Sequence, residues 1–295
     1  MKKLISAITI LFMLSFILPT IGSANEAIDE KLGLPIVVYG GDLSESEKSS
    51  VRDSLNVAEE TEVEEIEVTG QDLVKYIKDG NPSARMFSSA KITREDEGHG
   101  LVIQIVTADN ITQVTSEMYA NAMLTAGIEN ANVEIAAPRP VTGHSALVGI
   151  YKAYEVNGEE LDPERTDVAN DELTVATEIA DNGVEDEKVS ELLTEIKKQI
   201  AEQNPQSRED VERIVEEQLS RLQIELSPED RQLLIDLMDR IRQLDINFSE
   251  WSTQLEDLST NLQDRIDTIV NDEDFWESVK AFFRNIANNI RSIFN

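Results

Sequence analysis

From Leu34 to Gly158 the apolar positions switch repeatedly between a spacing of two and one of about three and a half, the pattern of mixed α and β structure. Pro35 to Tyr39 predicts a buried strand. Ser44-Glu45-Ser46-Glu47 has the form of a capping box, in which the first and last side chains each take a backbone amide of the other, and it opens a predicted helix to Leu55. Glu62 to Thr69 predicts a strand with Ile66 and Val68 on one face, and Gln71 to Lys78 a short helix stopped by Gly80 and Pro82. Met86 to Thr93 and Leu101 to Thr107 are expected to pair antiparallel across the polar turn Glu95 to Gly100. Thr115 to Ala126 predicts a helix ended by Gly127, Asn132 to Ala137 a strand, and Ser145 to Val156 a helix. The order is βαβαββαβα, an α/β sandwich on a mixed sheet.

After Gly158 the strand pattern disappears. Helices are predicted over 166–181, 185–203, 207–222, 228–244, 248–271 and 273–294, with breaks at Gly183, Asn204-Pro205 and Ser227-Pro228. Pro228 falls at a first helical position, where its missing amide does no harm. Several of these helices are too polar to stand alone, so a bundle or helical arm is expected. The expected division is an α/β domain over 25–160 and an all-α domain over 161–295, separable near 158–166, where Asn157-Gly158-Glu159-Glu160 and Asp162-Pro163 form a turn-rich connection.

The first 24 residues read differently. Lys2 and Lys3 precede an apolar run from Leu4 to Leu18, Pro19 breaks it, and Gly22 and Ala24 supply the small residues of a signal-peptidase site. The run is shorter than the ~20 residues of a membrane span, so cleavage after Ala24 and export are expected. Loss of the leader, with its two lysines and no acidic residue, takes the net charge from -32 to -34. Such a surface argues against nucleic acid as a partner, since phosphate binding needs a basic face. It would also repel anionic wall polymers at long range. With no cysteine in the chain, disulfides, thiolate metal sites and a cysteine nucleophile are excluded.

Several segments resemble the YpuA-like family of exported Gram-positive bacterial proteins, defined as a domain of unknown function. They are Tyr39-Gly40-Gly41-Asp42-Leu43-Ser44, Thr115-Ser116-Glu117-Met118-Tyr119-Ala120-Asn121-Ala122 running into Thr125-Ala126-Gly127-Ile128, and Ala137-Pro138-Arg139-Pro140-Val141-Thr142-Gly143 continuing through Ala146 to Glu155. Val168-Ala169-Asn170-Asp171-Glu172-Leu173 extends the likeness into the helical half. The resemblance implies export and the two-part layout, and it carries over no catalytic residue.

Candidate chemistry is sparse. His99 lies in a glycine turn and His144 precedes a helix, and nothing in their spacing brings them together as metal ligands. Ser145 beside His144 is expected to act as a helix N-cap, since no G-x-S-x-G surrounds it. Asp and Glu total 58, so a glycosidase-like carboxylate pair can be found almost anywhere and spacing does not single one out. The acidic stretches Asp181 to Glu187 and Asn271 to Glu277 miss the EF-hand pattern, and Gly40-Gly41 lacks the third glycine of a dinucleotide loop. No cofactor or metal is called for. Two places are candidate binding sites. One is the loop from Pro138 to Ser145, where Arg139, Thr142, Gly143 and His144 precede a helix N-terminus able to take an anion or a glycan hydroxyl. The other is the C-terminal stripe, in which Trp276, Phe282 and Phe283 recur at helical spacing with Lys280 and Arg284, as a helix on an anionic membrane or in a partner groove requires. The expected function is a non-catalytic envelope protein binding a protein, a wall glycan or the membrane surface. The alternative is a carboxylate-based hydrolase of wall polysaccharide.

Overall fold

The computed structural model describes residues 33–247 and 251–260. In chain order these form β1 (Ile36–Gly40), α1 (Glu45–Ser54), β2 (Glu64–Val68), α2 (Gly70–Tyr76), β3 (Ser89–Arg94), β4 (Leu101–Ile105), α3 (Ser116–Ala126), β5 (Ala131–Ala136), α4 (Ser145–Val156), α5 (Pro163–Asp181), α6 (Asp186–Gln203), α7 (Arg208–Leu222) and α8 (Pro228–Gln243). A further helical run, α9, occupies 251–260. The fold is therefore a mixed five-stranded sheet with helices, followed by a helical region.

Sheet order is β2-β1-β3-β5-β4. β1 is parallel to β2 and antiparallel to β3, while β5 is antiparallel to β3 and parallel to β4. The expected β3–β4 hairpin does not form, because β5 is inserted between the two strands. Asn130, at the entry to β5, explains the arrangement: its Oδ1 accepts from Gly98 N at 3.1 Å and Gly100 N at 2.9 Å, and its carbonyl accepts from Glu95 N. The turn is pinned to the start of β5, and β4 leaves along the far side of that strand.

Local chemistry sets the helix ends as the sequence suggests. The Ser44–Glu47 capping box is present at α1, and Gly127 closes α3 with φ +92, where a Cβ is unfavourable. α1 and a short turn at Val57–Glu59 cover one sheet face through Val51, Leu55 and Val57 against Val37 and Tyr39. The opposite face is covered by α3 and α4. Gly149 lets α4 approach β1 closely, since a Cβ there would sit 3.3 Å from Val38 Cγ1.

The helices after residue 160 share the core of the sheet. One apolar cluster runs from Ile36 and Ile135 through Met123 and Leu147 to Leu173, Leu193, Leu234 and Trp251. Nine consecutive residues of α3, Met118 to Ala126, are buried, because α3 lies between β4 on one side and α5 and α6 on the other. Polar bonds cross the same boundary. The Arg165 guanidinium donates to the carbonyls of Leu124 and Thr125 at the end of α3, where orphan acceptors and the helix dipole favour a cation. Thr166 Oγ1 donates to Tyr76 O, and Lys78 N donates to Asp167 Oδ1.

A buried ion pair lies within this shared core. Lys197 Nζ meets Glu172 Oε1 at 2.6 Å, both side chains almost wholly excluded from water. The ammonium also donates to Asn121 O at 3.0 Å and lies 5.6 Å from the centre of the Trp251 ring. Thr125 Oγ1 donates to the other carboxylate oxygen. Burial pushes the Lys197 amine below its ordinary pKa, with Glu172 opposing that shift. Among the described residues no helix is long and apolar enough to cross a membrane.

Candidate functional site

Five helical and loop segments meet at a groove of about 440 Å³. Leu73 of α2 and Val148 of α4 supply apolar surface, Arg85, Phe87 and Ser88 come from the segment entering β3, and Asn170 and Thr174 come from α5. The fifth is the loop singled out from the sequence, where Thr142, Gly143 and His144 all line the groove. Arg139 does not line it. Its guanidinium instead stacks at 4.1 Å on the ring of Phe87, which does. Arg85 lies over the same ring at 4.5 Å.

The loop holds its shape for identifiable reasons. Gly143 adopts φ +107, and a Cβ there would meet Tyr119 Oη at 2.7 Å and Ile111 Cγ2 at 2.8 Å. Tyr119, fully buried, donates its hydroxyl to Gly143 O at 2.7 Å. Backbone bonds from Thr112 N to Val141 O and from Val141 N to Asn110 O anchor the loop's entry. Ser145 is not the N-cap expected of it. His144 occupies the cap position with φ -52 and ψ -34, already helical, and no side chain caps the helix. A cap needs extended backbone to turn its oxygen back on the amides, so Ser145 is carried into the first turn, and its Oγ accepts from Ser88 N at 3.2 Å.

Electrostatics at the groove are unusual for so acidic a chain. Asp42 approaches Arg85 only to 3.7 Å and Glu47 approaches Arg139 only to 3.5 Å, longer than the ~2.7–2.9 Å of a charge-assisted hydrogen bond. Both arginines remain well exposed. Burial lowers the pKa of His144, so its imidazole is held neutral and offers one donor and one acceptor. Asp171, the carboxylate lining the groove, is tied to Arg240. In the same lining Ser88 is 1% exposed, and its Oγ has no hydrogen-bond partner.

A hydrolase of the carboxylate type requires two carboxyls in one cleft with pKa values pushed apart. Asp72, Glu155, Glu159 and Glu160 do gather in a second groove of about 580 Å³. There Asp72 is paired with Lys152 and Glu155 with Lys75. Asp72 is desolvated, yet its bonds from Lys152 and Thr69 hold its pKa below the ordinary value. The carboxyls raised by burial, Asp186 and Glu191 on α6, line neither groove.

The two histidines are not brought together as a site. His99 bonds Asn132 at 3.1 Å at the β4 end of the sheet, and His144 lines the groove. No group of three potential metal ligands occurs among the described residues. The leader over 1–24 and the stripe residues Trp276, Lys280, Phe282, Phe283 and Arg284 lie outside the described residues. Sequence reasoning missed Arg85, Phe87 and Ser88. Arg85 and Phe87 are two apart in an extended segment and so share a face, which was a legible signal. Ser88, Asn170 and Thr174 had none.

Residues 39–258 match the family described as a protein of unknown function (DUF1002). The chain is 33% identical to the uncharacterized protein YpuA of Bacillus subtilis (strain 168) over 305 aligned positions, covering the whole of both chains. No solved structure matches.

Proposed function

The chain belongs to the DUF1002 family, and from that premise we propose that it is an exported, non-catalytic protein that binds wall glycan in the groove between α2, α4 and α5. The observation that carries this reading is Ser88: a hydroxyl removed from water without a partner is destabilising by about 1–3 kcal/mol, and this one, closed to water, is carried by a residue that lines an open groove. A ligand hydroxyl reaching it would restore the missing bond. The rest of the lining suits a sugar, whose ring carbons meet Leu73 and Val148 while its hydroxyls meet Asn170, Thr174 and His144. The leader read from residues 1–24 supports action outside the cytoplasm.

Filling the groove tests the proposal. Thr174 is exposed on α5, so Thr174→Trp should occupy the cavity without unfolding the protein, as an unchanged melting temperature would verify. The mature chain should co-sediment with purified wall sacculi, and the Trp variant should not. Equal sedimentation of both proteins would refute binding through this groove.

A further inference from the structure

Two guanidinium groups lie over one aromatic ring, Phe87, near the N-terminus of α4, which no side chain caps. Resting on the glycan-binding reading above, we propose that the groove selects sugars carrying a carboxylate, with Arg85, which lines it, as the charge-recognising residue, Arg139 as its neighbour on the Phe87 ring and Ser88 as a hydroxyl contact.

Three independent observations converge on this class of ligand. First, Arg85 and Arg139 are both brought to Phe87, at 4.5 and 4.1 Å. The ring orients the planar forks while their nearest carboxylates stay at 3.7 and 3.5 Å. The terminal nitrogens are left to take a carboxylate in the paired geometry that arginine favours. Second, α4 is twelve residues long and presents its N-terminus through His144 and Ser145, both groove-lining. The amides of Ala146 and Leu147 are bonded to Gly143 O and His144 O, so the contribution there is the positive end of the helix dipole. Elsewhere Ser44, Thr115, Asp162, Ser207 and Ser227 close helix N-termini with their own side chains, while α6, with Glu185 at its cap, has no side-chain cap bond either. Third, Ser88 is buried, unpartnered and part of the same lining.

The net charge of -32 does not cancel this local field. At physiological ionic strength charges farther than about 8 Å away are largely screened, so what a seated ligand meets is set by Arg85 and Arg139 together with Asp42 and Glu47, 3.7 and 3.5 Å from them, and by Asp171, which Arg240 pairs. The distant charge slows approach. Binding therefore reports the site, and its rate of formation reports the surface.

The experiment is calorimetric titration of the mature chain with four probes. These are the disaccharide N-acetylglucosaminyl-N-acetylmuramic acid, whose carboxylate sits on a lactyl ether; its methyl ester; neutral chitobiose; and trigalacturonate, whose carboxylates sit on the ring. The expected result is that one or both acids bind at least about tenfold more tightly than ester and chitobiose, the difference a lost charge-assisted hydrogen bond makes. Which acid binds identifies where the carboxylate is carried. Arg85→Gln should remove most of that preference and Arg139→Gln a smaller part of it, while both variants melt as the parent does. Equal binding of acid, ester and chitobiose would overturn carboxylate recognition and leave glycan binding standing. No binding of any probe would overturn both. A preference that survives undiminished in Arg85→Gln would remove this residue from the site and refute the assignment.

Discussion

Glu172 and Lys197 are sealed among α3, α5, α6 and Trp251, with a partner for each charge. Ser88 is as deeply buried, yet it lines an open groove and has no partner. The first arrangement satisfies polar groups within the fold, so disturbing it should act on stability. The second leaves one group unsatisfied where a ligand can reach the surrounding lining, so disturbing it should act on binding. Burial alone separates neither case. Completeness of hydrogen bonding does.

The largest effect is expected at the sealed pair. Lys197→Met should destabilise the protein by about 3–5 kcal/mol in urea titration, because Glu172 is left charged and unpaired away from water. Adding Glu172→Leu should recover much of that loss, since the desolvated charge is then gone. A single variant within about 1 kcal/mol of the parent would mean that water reaches the pair.

Next comes Gly143, which belongs to the groove wall but is held by the core. Gly143→Ala forces a side chain onto a backbone at φ +107 and into Tyr119 Oη. A loss of about 1–3 kcal/mol is expected, read as a lowered melting temperature. If the variant melts like the parent, the wall is more pliable than the sealed core and the contrast between the two regions is stronger than stated here.

Ser88→Ala sharpens the comparison from the other side. Removing a hydroxyl that has no partner should leave stability within about 0.5 kcal/mol of the parent, or raise it, while glycan binding weakens. A substantial loss of stability with binding intact would place Ser88 with the structural polar groups instead.

The smallest effect concerns an exposed pair on the α1 face. The Arg52 guanidinium bonded to Glu65 holds that carboxyl below its ordinary 4.5, with Tyr39 also donating to it and burial opposing. A lowered carboxylate contributes stability that is complete above the ordinary pKa and is lost as pH falls through the lowered one. Arg52→Ala should therefore be slightly less stable than the parent at neutral pH, and the two should converge in acid once Glu65 is protonated. A difference that stays constant with pH would show that Arg52 acts through packing rather than charge.

Local chemistry was legible from the residues alone: the period-two and helical runs, the Ser44–Glu47 box, the glycine stop at Gly127 and the Pro228 start. It also marked the loop at 138–145, because two prolines and a glycine before a helix constrain backbone within a few residues. Only the tertiary structure decided which strands became neighbours, since pairing β5 between β3 and β4 depends on Asn130 reaching a turn some thirty residues away. It likewise carried Ser145 past its expected cap position, continued the core across residue 160 and brought Ser88 into one groove with Phe87 and α5. Patterning reports what each residue asks of its own helix or strand. Contacts across the fold depend on how the hydrophobic faces close on one another, and no single segment encodes that.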